Sequence, residues 1–278
     1  MTSVKNCGIR FLDNNLLTDS ANVSFNSKAD LNGQTLADVI DSESFGKYRL
    51  TEDDTDAAYI FDVELTNQLN PCCFVMLAAD VNRFYLTSES VITVQASNFG
   101  FDYVEKEFIG EFSRFGIYCN FYEAGVQNNF RYWRIHISAG NRAPSENNES
   151  LDIKYAFFGD GLTFEDRNVA TGFGVSLKDL SKPFVSESGR KYYNQKEKQL
   201  VVSGLRFQYM NGTDRANFQK FYYQNGITNN FLALIDPNGN IEAERFELMR
   251  IFKFDSLPKQ THKIRDLFEN NFTLTEAL

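Results

Sequence analysis

Proline, histidine, cysteine and tryptophan are scarce in this chain of 278 residues, at five, two, four and one. Two histidines are too few for most histidine-based metal sites and for proton relays built on imidazole. Cys7, Cys72, Cys73 and Cys119 show no C-x-x-C spacing, and the adjacent pair would point to opposite faces of a strand. They read as reduced, buried thiols acting as small hydrophobes. Positive charge is in deficit: 28 Lys and Arg face 37 Asp and Glu, a formal charge of −9, with none of the basic clustering that duplex nucleic acid or polyphosphate requires. No nucleic-acid partner is expected. Long apolar runs are missing too. The longest, residues 72–79, is less than half a bilayer span, and the start of the chain meets Arg10 and Asp13 where a signal peptide needs an unbroken apolar stretch. The expectation is no membrane contact and a chain kept on the side of the membrane where it is made.

Catalytic signatures are also lacking. There is no G-x-S-x-G elbow, no H-E-x-x-H and no G-x-x-x-x-G-K-[ST] loop. His136 falls on the solvent side of its strand with no nucleophile assignable beside it, so a sheet-surface histidine is the simpler reading. His262, in a polar stretch, reads as solvated. Asp236, Asn238 and Asn240 imitate positions 1, 3 and 5 of a calcium loop, but Ile241 replaces the required glycine and Glu247, at position 12, falls in a strand; a hairpin turn fits better. The acid run 52–56 reads as a solvated loop rather than a calcium site. Gly159-Asp160-Gly161 and Gly172-Phe173-Gly174 lack the third glycine and following helix of a phosphate loop, and read as turn glycines. Arg131-Tyr132-Trp133-Arg134 and Arg206-Phe207 interleave basic and aromatic residues as a base-stacking platform would, yet Trp133 shares the core face of its strand. No catalytic residue, metal ligand or cofactor is expected, and the chain is read as a non-enzyme.

Aromatics are what the chain has in plenty, with 27 Phe and 13 Tyr. These favour pleated surfaces and bury large areas, which moves the expected class toward β. Period-2 patterning supports this. Tyr59, Phe61, Val63 and Leu65 share one face while Asp62 and Glu64 face water. Residues 74–79 are apolar on both faces, as in a strand at the centre of a sandwich. Ile92 and Val94 alternate with Thr93 and Gln95, and Trp133, Ile135 and Ile137 with Arg134 and His136. Residues 1–30 read as an extended arm with short strands, and 41–55 as a surface loop. Residues 139–149 carry no apolar side chain larger than alanine and read as a long hairpin loop, because alternation resumes at Leu151.

The second half has another grammar. A strand over 200–209 is followed by a turn offering Asp214 as N-cap, then by Phe218, Phe221 and Tyr222 at helical spacing, closed by Asn225-Gly226. Strands follow at 231–235 and 244–254. Pro258 ends the unit, and Ile264, Leu267 and Phe268 predict a short amphipathic C-terminal helix. The division expected is a β-sandwich domain with its N-terminal arm over 1–162 and a smaller α+β domain over 163–278.

Residues 59–65, 72–82, 91–97 and the run Tyr132-Trp133-Arg134-Ile135-His136-Ile137 together resemble a galactose-binding-like jelly roll. In combination with the strand–helix–strand unit ending Phe231-Leu232-Ala233-Leu234-Ile235-Asp236-Pro237, the pattern is similar to structural proteins of bacteriophage tails. The resemblance implies a structural component of a virion, folded in the host cytoplasm, homo-oligomeric and working through interfaces with other virion proteins. The N-terminal arm and Ile264, Leu267 and Phe268 are the contacts expected. The alternative is a carbohydrate-binding module that touches a host glycan, for which Tyr103, Tyr118, Phe121 and Tyr122 are candidate aromatics. A carboxylate-dependent glycosidase is the third reading.

Overall fold

A computed structural model of the chain describes residues 10–19, 21–25, 37–41, 47–51, 58–79, 84, 86–122, 126–138, 150–163, 173–194, 198–235, 248–256, 258–264 and 267–277. The protein is mainly β and divides into two compact units, one holding Leu12–Gly161 and the other Met1–Phe11 with Leu162–Gly239 and Leu248–Leu278.

The first unit is a two-sheet antiparallel sandwich. Its elements in chain order are β1 (Arg10–Asn15, from Leu12 onward), α1 (Leu16–Asp19), β2 (Ala21–Phe25), α2 (Ala37–Ile40), β3 (Tyr48–Thr51), β4 (Ala58–Leu69), β5 (Cys73–Ala78), β6 (Ile92–Ser97), β7 (Lys106–Ser113), β8 (Gly116–Asn120), β9 (Phe130–Ser138) and β10 (Ser150–Thr163). One sheet runs β2-β4-β9-β6-β7, and the other runs β7-β8-β5-β10 with β1 and β3 on β10. β7 serves both sheets. Lys106–Gly110 pair with β6, and Glu111, Phe112 and Ser113 pair with β8. At that corner a Cβ on Gly110 would lie 2.7 Å from Ile92 Cγ2, so only glycine fits.

The alternation places the core where the sequence predicts it. Tyr59, Phe61, Val63 and Leu65 are buried against Ile92, Val94, Trp133, Ile135 and Ile137, and β5 is buried on both faces between β8 and β10. Trp133 is enclosed by the rings of Phe108, Phe121, Phe130 and Phe158 at 5.0–6.0 Å, which rules out a base-stacking role for it. Cys72, Cys73 and Cys119 are buried, and Cys7 lies outside the described residues. Burial pushes the Cys119 thiol up, reinforced by Cys73 and Glu111.

Four expectations for this unit need correction. β9 and β10 do not form a hairpin: β9 lies between β4 and β6 while β10 pairs with β5 in the other sheet, so residues 139–149, themselves outside the described residues, join two sheets. Tyr48–Thr51, expected in a loop, form β3 with Leu50 buried. Gly159 is no turn glycine. It sits inside β10, where a Cβ would lie 2.0 Å from the Asn14 carbonyl oxygen, so the backbone itself approaches too closely for a side chain. Nor is β1 a free arm, since Phe11 and Leu12 are fully buried. Asn15 ties it down by donating to the carbonyls of Ile40 and Ala156 and accepting from the Phe158 N–H.

The second unit contains β11 (Gly174–Asp179), β12 (Lys182–Val185), β13 (Lys191–Asn194), β14 (Lys198–Met210), α3 (Gly212–Asn225), β15 (Phe231–Leu234), β16 (Met249–Phe254), β17 (Lys259–Ile264) and β18 (Leu267–Glu276). Its sheet runs β11-β14-β18-β16-β15, with β17 pairing beside β16 along β18, while β12 and β13 form a separate two-stranded sheet. α3 buries Phe218 and Phe221. Its N-cap is Asn211, whose Oδ1 accepts from the Asp214 N–H at 2.8 Å, and not Asp214; Gly226 closes the helix at φ +56. The described part of the strand expected over 244–254 is β16. Residues 52–56 and 236–240, weighed as calcium loops, lie outside the described residues.

The C-terminal helix is overturned. Ile264 ends β17 and Leu267 and Phe268 begin β18, paired Ile264↔Leu267 and His262↔Phe268. The helical spacing of those three residues coexists with a period-2 run in which Asn270, Phe272 and Leu274 are buried, and pairing along β14 selects the strand.

Candidate functional site

Strand ends Leu69, Cys73, Ser97, Lys106, Asn120 and Phe130 gather loop residues 70–72, 98–105, 121–122 and 126–129 at one end of the sandwich. Asparagine side chains brace them. Asn70 Oδ1 accepts from the Asn128 N–H at 2.8 Å, Asn128 Nδ2 donates to the Phe121 carbonyl at 2.6 Å, and Lys106 Nζ donates to Asn128 Oδ1 at 2.8 Å. Asn98 Oδ1 accepts from Gln68 Nε2 and from the Arg131 N–H at 3.1 and 3.2 Å. Its own N–H donates to Glu105 Oε2 at 2.5 Å. An amide both donates and accepts, so asparagine can stand in for backbone where a loop has no ladder partner.

The loop 98–105 sorts its aromatics to two sides. Phe101 turns inward, edge-on to Tyr132 at 5.3 Å and beneath the Arg134 guanidinium. Phe99 and Tyr103 turn outward, 77% and 57% exposed, with their rings edge to face at 5.6 Å. Gly100 between them holds φ +115, open to glycine alone among the residues nearby. Asp102 is exposed, and Arg131 Nη2 meets Glu64 Oε1 at 2.6 Å at the same end. Two rings presented to water on a braced loop, beside carboxylates and amides, suit a ligand with an apolar face and hydroxyl edges. Among the described residues no group of three or more His, Cys, Asp or Glu could hold a metal ion.

Of the aromatics singled out in the sequence, Tyr103 stands at this end and exposed. Tyr118 and Phe121 are buried and Tyr122 is half-buried. Phe99 carries no period-2 signal; its one mark in the sequence is a phenylalanine set between asparagine and glycine outside any alternating run. His136 lies opposite Ile60 and Thr93 on the outer face of its sheet. Arg134 forks onto Asp62 at 2.7 and 2.8 Å, and that hydrogen bond raises the guanidinium's pKa. Arg206 pairs with Glu269 at 2.7 Å, so the basic members of both aromatic-basic segments are already engaged.

No protein-family profile matches the sequence, and no curated protein matches it. Among solved structures it is similar to the CBM32-1 and CBM32-2 domains of Clostridium perfringens ZmpB, at 11% identity and a TM-score of 0.36 over 55% of this chain and 40% of that one. A second structure, with the CBM32-1, CBM32-2 and M60 catalytic domains of the same protein, gives 9% identity and 0.37 over 95% and 36%. The chain thus spans less than half the length of either, and the likeness is too distant to assign a function.

Proposed function

We propose that the sandwich unit is a carbohydrate-binding module without catalytic duty, with its site at the loop 98–105. The observation that carries this is the exposed Phe99–Tyr103 pair on a loop braced by Asn98. A pyranose presents a face of C–H groups to such rings and its hydroxyls to Asp102, Glu105 and Gln68 around them. NMR titration of the full chain with a saccharide panel tests it. Chemical-shift changes at the loop are expected, and Phe99→Ala with Tyr103→Ala weakens binding by about tenfold or more with the fold intact. A panel that moves no resonance ends this reading.

A second reading, a bacteriophage tail or virion structural component working through protein interfaces, draws on the exposed apolar side chains of β11–β13. It would place the chain in the virion, and electron microscopy of the purified protein showing no ordered assembly under any ionic condition would count against it.

A further inference from the structure

Large apolar side chains stand in water along one stretch of the second unit. β11 ends its sheet. Residues directly opposite in an antiparallel ladder share a face, so Val175 and Leu177 continue the face on which their partners Val202 and Leu200 are buried. Both are nevertheless exposed, Leu177 at 65%. The β12–β13 hairpin, joined to β11 through Leu180 and Ser181, adds Phe184 at 67%, directly opposite the exposed Tyr192. A lone two-stranded hairpin is marginal in water, and clustered exposed apolar groups mark a contact surface. The stretch also inverts the charge of the chain. Residues 174–198 carry six Lys and Arg against three acids, whereas residues 12–161 carry ten against 23.

We infer that β11 and the β12–β13 hairpin of one copy dock on the acidic sandwich of a second copy. Phe184 and Tyr192, with Lys182 on the same face of the hairpin, seat on the outer face of β6 and β7 around Ile109. Ile109 is 73% exposed, opposite Thr93, with Val91 exposed nearby and Glu107 two residues along on the same face. Apolar centre meets apolar centre, and lysine meets glutamate at the rim. Because the two surfaces differ, the contact is head-to-tail and propagates to a ring or a filament. It uses neither Phe99 nor Tyr103 and stands whether or not the sandwich binds a glycan.

Sedimentation velocity on the full chain, over about 1 to 100 μM, tests this. Association that grows with concentration and weakens with salt is expected. Phe184→Ser and Ile109→Lys, both at exposed positions, each weaken it by about tenfold or more with circular dichroism unchanged. Mixed together, the two variants form a one-to-one pair, since each keeps the surface the other has lost. A wild type that stays monomeric, association that either substitution leaves unchanged, or a mixture that does not pair overturns the inference.

Discussion

Phe11 shows how much one side chain can decide. It is fully buried, and its ring centroid lies 5.5–6.3 Å from those of Phe207, Phe218, Phe221, Phe231, Phe254 and Phe272. A residue from the start of the chain is therefore the hub of a core built from its last third. Truncation leaves a cavity ringed by stiff aromatics that cannot collapse, so Phe11→Ala is expected to cost about 3–5 kcal/mol, read as a lower urea midpoint for the second unit. The segment Gly8-Ile9-Arg10-Phe11-Leu12 reads in sequence as part of an extended arm, and nothing in it says that Phe11 enters a core or which one. Gly159 carries the same lesson: its glycine is dictated by the Asn14 carbonyl, 145 residues away in sequence and invisible there. The buried cysteines were legible because their neighbours in sequence are apolar and their spacing fits no metal or disulfide motif.

Among the elements, β4, β6 and β9 follow from alternation, since a strand with one face in a core must repeat every second residue, and β5 follows from a short run apolar on both faces. β17 and β18 do not. Ile264, Leu267 and Phe268 satisfy a helical period, Phe268, Asn270, Phe272 and Leu274 a strand period, and β14 as a pairing partner settles the conflict. The strand choice brings Glu269 to Arg206 and Lys263 at 2.7 and 3.3 Å. The hydrogen bond from Arg206 holds the Glu269 carboxyl below the ordinary glutamate value. A carboxyl whose folded value lies under its unfolded one contributes stability that is complete above about pH 4.3 and is lost as the pH falls through the folded value. Glu269→Gln removes that component. The urea midpoints of wild type and variant, measured between about pH 6 and pH 3, are expected to converge toward the acid end; a constant separation would deny the pair its role.

At the scale of the whole molecule, the unit boundary near residue 162 coincides with the change from sandwich alternation to strand–helix–strand, while Arg10 and Phe11 belong to the later unit. Deleting residues 1–11 is expected to remove the cooperative unfolding of the second unit and to leave that of the sandwich, in which Leu12 begins β1. Calorimetry checks this, and two intact transitions after the deletion would refute it. The candidate site divides along similar lines. The aromatic surplus leads to an expectation of aromatics outside the cores, and of the four candidates it offers, Tyr103 is the exposed one. Tyr118 and Phe121 were indistinguishable from it by composition, because exposure is set by which face of which sheet a residue meets. The sequence by itself determined the strands whose periodicity a single core imposes, a helix through Phe218 and Phe221 closed by Asn225-Gly226, and the lack of metal and phosphate motifs, all of which rest on neighbours within one element. Tertiary structure alone decided the entry of Phe11 into a distant core, the crossing from β9 to β10 between sheets, the strand state of 267–276, and the exposure of Phe99, Ile109 and Phe184. Those are pairings between segments far apart in the chain, and no local pattern encodes which segment lies opposite another.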